Sequence, residues 1–182
     1  MNEIKLLILD VDGVLTDGTK LYDDHHNVFG KRFMCKDFTA IKRFAAAGIK
    51  VIMISGDNFN RKMSEKRNID FYCSRGADLS LDKSRFLEQF SKIYNVSIGQ
   101  MAFVGDDYFD LSIFRRLKHT FCTSDSPQII KDNSWTVLKS KGGEGVVVEL
   151  YDMLLAKGYF TEATEEEVAN LDIKEQTSKE MK

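Results

Sequence analysis

Short apolar runs alternate with amphipathic segments along most of the chain. Ile4 to Leu9, Val51 to Ile54, Phe71 to Cys73, Met101 to Val104 and Phe121 to Thr123 are nearly continuous apolar runs. Runs of that length predict strands buried on both faces. Helical patterns fill most of the gaps. Leu87, Phe90, Ile93 and Tyr94 recur at helical spacing behind a candidate N-cap, Ser80, which predicts a helix over 80–94. Phe38, Ile41, Phe44 and Ala45 share one face of another helix that stops at Gly48. Strands alternating with helices predict a doubly wound α/β domain, a parallel sheet covered on both faces with right-handed crossovers.

Two stretches depart from the alternation. Thr19 to Tyr22 and Val28 to Phe33 predict a β-hairpin flap over about 19–33, inserted after the first strand and overhanging the C-terminal edge of the sheet. Gly145 to Lys157 predicts a closing helix ended by Gly158, and residues 161–182 turn acidic, with few large apolar side chains. The expected organisation is one domain over residues 1–160 and an acidic tail over 161–182 that is mobile or docks on a neighbour. The single proline, Pro127, and the lack of a Gly/Ser-rich run give no sign of an interdomain linker.

Composition narrows the choices. A chain of 182 residues, 43% hydrophobic and 30% charged, is long enough to bury roughly 70% of its unfolded surface. Its formal net charge of −2 argues against nucleic acid or an anionic membrane as the main partner. No apolar run approaches the ~20 residues of a membrane span, and Asp10 follows the N-terminus too soon for a signal peptide, so a cytoplasmic protein is expected. Cys35, Cys73 and Cys122 lack metal-ligand spacing and are expected as reduced, small core residues. His25 and His26 are expected to be solvated in the flap tip, and His119 to cap a strand.

The candidate chemistry lies where strands end. Asp10-Val11-Asp12-Gly13-Val14 directly follows the run Leu6 to Leu9, so the first strand delivers two carboxylates to the mouth of the sheet. Taken alone, the pair also fits a solvated turn. Gly105-Asp106-Asp107-Tyr108-Phe109-Asp110 repeats the arrangement after Met101 to Val104. If both strands are central, carboxylates about 4 Å apart repel by roughly 4 kcal/mol at an effective dielectric near 20, so the cluster must protonate or hold a cation. Oxygen donors alone suit a hard ion, most simply Mg²⁺. Ser55, followed by Gly56, ends the Val51 to Ile54 strand, where its hydroxyl and nearby amides could hold phosphate oxygens. Lys83 stands in the first turn of its helix, against the usual preference for acids near the positive end of the dipole.

These motifs, in this order, resemble the haloacid dehalogenase superfamily of phosphotransferases. Over roughly residues 3–158 the chain looks like the small capless group of octulosonate 8-phosphate and nine-carbon sugar-acid 9-phosphate phosphatases. That similarity is carried by Asp10 to Gly18, the flap, Lys36-Asp37, Asp82-Lys83 and Gly142-Gly143-Glu144-Gly145. The resemblance implies a Rossmann-like sheet without a cap domain. It implies Asp10 as nucleophile, Asp12 as general acid and base, and Ser55 and Lys83 as holders of the transferring phosphoryl group. It implies Mg²⁺ held by the Asp10 carboxylate, the Asp12 carbonyl and Asp106, with Asp107 or Asp110 ordering bound water. It also implies a homotetramer in which flaps and C-terminal segments close neighbouring sites.

Departures from that group bear on the substrate. Asp57 follows Ser55-Gly56 where the octulosonate enzymes usually carry arginine, and Glu144 and Val148 stand where arginines are common. Asp57 also fits an ordinary helix N-cap. The substitutions lean toward a nine-carbon sugar acid, with Gly56, Asp57, Lys36 and Arg61 as candidate substrate contacts and Lys31 and Arg32 as further positive charge. Phe38 and Ala40 replace smaller residues and would narrow the pocket. Two other classes stay open: a phosphoryl-accepting receiver domain, and a non-catalytic oligomerising domain of the kind fused to sialic-acid activating enzymes.

Overall fold

The computed structural model describes residues 4–75 and 82–180, with side chains to residue 176. Its elements in chain order are β1 (Leu6–Leu9), β2 (Leu21–Tyr22), β3 (Val28–Gly30), α1 (Cys35–Ala46), β4 (Lys50–Ser55), α2 (Arg61–Glu65), β5 (Asp70–Cys73), α3 (Leu87–Tyr94), β6 (Met101–Gly105), α4 (Leu111–Phe114), β7 (His119–Cys122), α5 (Gln128–Asn133), β8 (Thr136–Val137), α6 (Val146–Ala156) and α7 (Glu165–Glu180). Six strands form a parallel sheet in the order β5-β4-β1-β6-β7-β8.

The two-residue period of the strands sorts their side chains onto two faces. Leu7, Leu9, Val51, Met53, Ala102, Val104 and Phe121 pack with Phe38, Ile41 and Phe44 of α1 and with Val146, Val147, Leu150 and Leu154 of α6. Leu6, Ile8, Ile52, Ile54, Met101, Phe103 and Cys122 pack with Leu87 and Phe90 of α3, Ile113 and Phe114 of α4, and Ile130 of α5. Both faces are therefore covered, and β1 lies between β4 and β6, where the strand order reverses. Open α/β sheets bind ligands beyond the carboxyl ends of the strands at such a reversal.

Between β1 and α1 the antiparallel β2–β3 hairpin is inserted, and the described residues include no cap domain. Its strands are shorter than the sequence suggests: residues 19–20 and 31–33 leave the ladder at its open end, where Lys20 and Lys31 pair with Asp57, while Asp23 ties down the turn by accepting from the His25 and Asn27 amides at 3.0 and 2.7 Å. The helix expected over 80–94 is divided: Lys83 to Phe86 form a 3₁₀ turn, and the α-helix starts at Leu87. Asp82 caps that turn, accepting from the Ser84 amide at 2.8 Å, while the candidate cap Ser80 lies outside the described residues.

Other local expectations give way to packing. Cys35 is exposed at the start of α1, whereas Cys122 is buried. His119 is not a strand cap but a buried member of β7, with its ring edge-on to Trp135 and Tyr159. Residues 165–180, expected to be mobile or to dock on a neighbour, form helix α7 on their own chain. Thr164 and Glu167 build a reciprocal capping box at its start, with the Thr164 amide donating to Glu167 at 2.8 Å and the Glu167 amide to Thr164 Oγ1 at 3.3 Å. Its acids meet bases on the domain: Lys42 pairs with Asp172 and Glu175, and Arg43 with Glu165 at 2.6 Å. No helix among the described residues is long and apolar enough to cross a membrane.

Candidate active site

Asp10 is the first residue beyond β1. Its amide continues the sheet by donating to Val104 O at 2.9 Å, and its Oδ1 accepts from the Val11 amide at 2.8 Å. The chain then turns back: the amides of Val14, Leu15 and Thr16 all donate to Val11 O. Gly142 and Gly143 press against this turn. A Cβ on Gly142 would stand 2.3 Å from Gly13 O, and one on Gly143 would stand 2.7 Å from the Asp17 nitrogen. The glycine-rich motif near the C-terminus therefore braces the loop that carries Asp10 and Asp12.

The end of β6 brings the second acidic group alongside. Asp110 is fully buried; its Oδ2 accepts from the amides of Asp106 and Asp107 at 2.9 and 3.1 Å, and its Oδ1 accepts from Lys83 Nζ at 2.6 Å. Lys83 Nζ also donates to Asp10 Oδ2 at 2.8 Å, so one ammonium bridges acids from two neighbouring strands. Burial opposes the charge of Lys83, but Asp10 and Asp110 more than offset it and hold the ammonium above its usual range. Asp106 lies so close to Gly13, which has φ +87°, that a Cβ there would stand 2.0 Å from Asp106 Oδ2.

This cluster carries more negative charge than its protein partners neutralise. Burial raises Asp10 to about 7 despite Lys83, with the Asp110 charge adding to the effect. Burial, then the charges of Asp10, Asp110 and Asp107, push Asp106 up to about 9. Ligand oxygens of Asp10, Asp106 and Asp110 lie within 4.8 Å of one another. Both Asp110 oxygens are occupied by protein donors, whereas the buried Asp106 Oδ1 has no hydrogen-bond partner among the described residues. An all-oxygen set with an unmatched carboxylate oxygen fits a hard divalent cation, with Asp10 and Asp106 as ligands and Asp110 as their brace.

Asp12 faces the other side of the same mouth. Its Oδ2 accepts from Ser55 Oγ at 3.2 Å and Asn60 Nδ2 at 3.1 Å, and its Oδ1 accepts from Lys31 Nζ at 2.5 Å. Lys31 comes from the far end of the hairpin, and its side chain is wholly buried. It also donates to Asp57 Oδ2 at 2.9 Å and Asn60 Oδ1 at 3.2 Å. Asp57 receives a second cation, Lys20, at 2.8 Å. Partial burial would raise Asp57, but the two lysines and the Phe59 amide override it and hold the carboxyl well below the usual range. The flap is thus fastened at both ends to the C-terminal edge of β4.

A cleft of about 150 Å³ opens between these groups, lined by Asp10, Asp12, Lys20, Ser55, Gly56, Asp57, Ser74, Arg75, Lys83, Asp107 and Phe109. Two candidate substrate contacts stand elsewhere. Lys36 lines a separate groove with Glu144 and Val148, and Arg61 donates to Asn58 and lies over the Phe71 ring. Arg32 pairs with Asp17 on the surface. Sequence reasoning passed over Asn60, Lys20 and Arg75. Asn60 sits five residues beyond Ser55, one turn into the segment that β4 feeds, and that spacing was its available signal.

Comparison with known proteins identifies the family. Residues 77–150 match the family of haloacid dehalogenase-like hydrolases. The 3-deoxy-D-manno-octulosonate 8-phosphate phosphatase KdsC of Haemophilus influenzae is 32% identical over 158 residues, 85% of this chain and 84% of that protein. KdsC of Escherichia coli K12 is 30% identical over 164 residues, 88% of this chain and 84% of the other. The cobalt-bound structure of the deoxy-D-mannose-octulosonate 8-phosphate phosphatase from Haemophilus influenzae superposes with a TM-score of 0.76 at 33% identity, covering 86% of this chain and 91% of that one. The chain therefore belongs to the haloacid dehalogenase-like hydrolases, in their capless octulosonate-phosphatase family, and is a phosphoric monoester hydrolase.

Proposed function

We propose that the protein hydrolyses the phosphate ester of a 2-keto-3-deoxy sugar acid, an octulosonate 8-phosphate or a nine-carbon nonulosonate 9-phosphate, through an aspartyl-phosphate on Asp10. One observation carries the reading. At the reversal point of the sheet, Lys83 bridges Asp10 and Asp110 at 2.8 and 2.6 Å while a buried Asp106 oxygen beside them lacks a partner. The names of the relatives supply the substrate class.

The residues divide the work as follows. Ser55 Oγ, the backbone near Gly56 and Lys83 bind the phosphoryl oxygens and orient phosphorus toward Asp10. An Asp10 carboxylate oxygen forms the new bond to phosphorus as the bond to the sugar oxygen breaks, and protonated Asp12 donates its proton to that oxygen. Asp12, now a carboxylate, takes a proton from the water that attacks phosphorus, and the Asp10–phosphate bond breaks to release inorganic phosphate. Lys31, Ser55 and Asn60 hold Asp12 between these proton transfers. Mg²⁺ held by the Asp10 carboxylate, the Asp12 carbonyl and Asp106 would neutralise charge building on the phosphoryl oxygens. The cobalt-bound form of the Haemophilus influenzae relative supports the use of a divalent metal.

The same proposal includes a homotetramer in the cytoplasm. The cleft accommodates a phosphoryl group but little of a sugar, so water exclusion falls to a neighbouring surface. On the hairpin, Leu21, Tyr22 and Phe29 are 54%, 54% and 62% exposed, an apolar surface suited to a second copy.

Steady-state kinetics with Mg²⁺ on eight- and nine-carbon sugar-acid phosphates, hexose phosphates and an aryl phosphate test the reading. Expected are many turnovers per site and a kcat/KM at least about tenfold higher on a sugar-acid phosphate than on hexose phosphates. Equal rates on all would contradict the sugar-acid assignment. A single stoichiometric phosphorylation would indicate a receiver, and no reaction a non-catalytic domain.

A further inference from the structure

Arg75, two residues beyond β5, lies across Gly56. A Cβ on Gly56 would stand 2.8 Å from Arg75 Nε and 3.3 Å from its Cγ and Cδ. The guanidinium is 5.5 Å from the centroid of the exposed Phe109 ring, on the loop that follows β6. Arg75 thus spans the mouth of the cleft from the β4 side to the β6 side and lines it together with Asp10, Ser55 and Lys83.

The charge pairing of the cleft leaves this cation distinct. Lys83 is committed to Asp10 and Asp110, Lys20 to Asp57, and Lys31 to Asp12 and Asp57. Among the described residues the Arg75 guanidinium has no carboxylate partner. An aromatic ring beside a guanidinium limits its motion and leaves the in-plane N–H groups available, and their fork matches a carboxylate with two parallel bonds. The cleft itself, at about 150 Å³, holds a phosphoryl group, so the remainder of a sugar phosphate must extend over the rim where Arg75 stands.

We infer that Arg75 is a specificity-determining residue that receives the carboxylate of the substrate while its phosphoryl group occupies the cleft. The inference rests on the sugar-acid phosphatase reading and adds the residue that selects the acid. It also resolves the charge problem set by Asp57: that carboxylate is spent on Lys20 and Lys31, and the substrate's anion is received one strand further out.

The test compares wild type, Arg75→Gln and Arg75→Lys on the preferred sugar-acid phosphate and on 4-nitrophenyl phosphate, which has no carboxylate. Arg75 is exposed, so the variants are expected to fold, and thermal melting checks it. For Arg75→Gln, the ratio of kcat/KM between the acid substrate and the aryl phosphate should drop by about tenfold or more, chiefly through KM. Arg75→Lys should recover part of that ratio, because charge survives and the fork does not. An unchanged ratio, whether both activities fall together or neither falls, overturns the inference while leaving the phosphatase intact. A wild type without preference for sugar-acid over hexose phosphates defeats the substrate reading and this inference with it.

Discussion

Asp10 and Asp106 are held far from their ordinary protonation behaviour by burial among other carboxylates, to about 7 and about 9. Their reference value in the unfolded chain is 3.8. Raised carboxyls bind protons more tightly in the folded state, so the stability they contribute is complete below the unfolded value and is lost as pH rises through the folded ones. Metal-free protein should therefore become less stable from about pH 5 to about pH 9, and a divalent cation should remove the effect. Thermal melting in chelator and in Mg²⁺ checks this: the increment from Mg²⁺ should be larger at about pH 9 than at about pH 5. Equal increments would contradict the cluster's charge imbalance. At this scale the strand-end acids, Ser55 and Lys83 were legible, because each directly follows a strand or opens a turn at the sheet's edge. Lys20 and Arg75 were not, and Lys31 stood only as added positive charge, since a charge inventory names cations without saying which way they point; neutral Asn60 had only its spacing from Ser55 to mark it. Lys36 and Arg61 show the same ambiguity from the other side: equally basic in sequence, they lie outside the cleft.

Among the elements, α1 and α6 are joined by a side chain that the sequence presents merely as part of a Lys-Asp pair. Asp37, in the first turn of α1, is fully buried, and its Oδ1 accepts from the amides of Val147 and Val148 at 2.8 and 3.1 Å. These are among the unsatisfied donors of the first turn of α6, so Asp37 caps a helix 110 residues away. Burial raises its carboxyl, and the amide bonds work against that rise. Asp37→Ala should cost about 1–2 kcal/mol, and Asp37→Asn, which keeps an acceptor, less. Urea midpoints measure both; an alanine variant as stable as wild type would show that the cap is dispensable. Because α6 follows the Gly142-Gly143 brace, loosening it should also loosen the Asp10 loop. Strand positions were readable from apolar runs, to within a residue or two of their ends. The short elements were not: α2, α4, α5 and β8 are too brief for periodicity to show. The start of α7 was readable in principle, because Thr164 and Glu167 have capping-box spacing, but its acidic composition suggested a tail that is mobile or docks on a neighbour.

For the molecule as a whole, function follows from strand order. Because β4 and β6 flank β1, Leu9 is in register with both Met53 and Val104, so residues distant in sequence emerge side by side about 4.8 Å apart. The doubly wound class was legible from alternating strands and helices. The adjacency of Asp10, Ser55 and Asp106 required the order β4-β1-β6, which alternation alone does not specify. On the proposed mechanism this adjacency makes Asp10 the group that takes the phosphoryl group from the substrate. Acid quenching during turnover in Mg²⁺, followed by peptide mass spectrometry, tests it most directly. One phosphoryl group on Asp10 that survives acid and is released by hydroxylamine is expected, and its loss together with turnover in Asp10→Asn. Sustained turnover in that variant, or a phosphoryl group trapped on another residue, would contradict it.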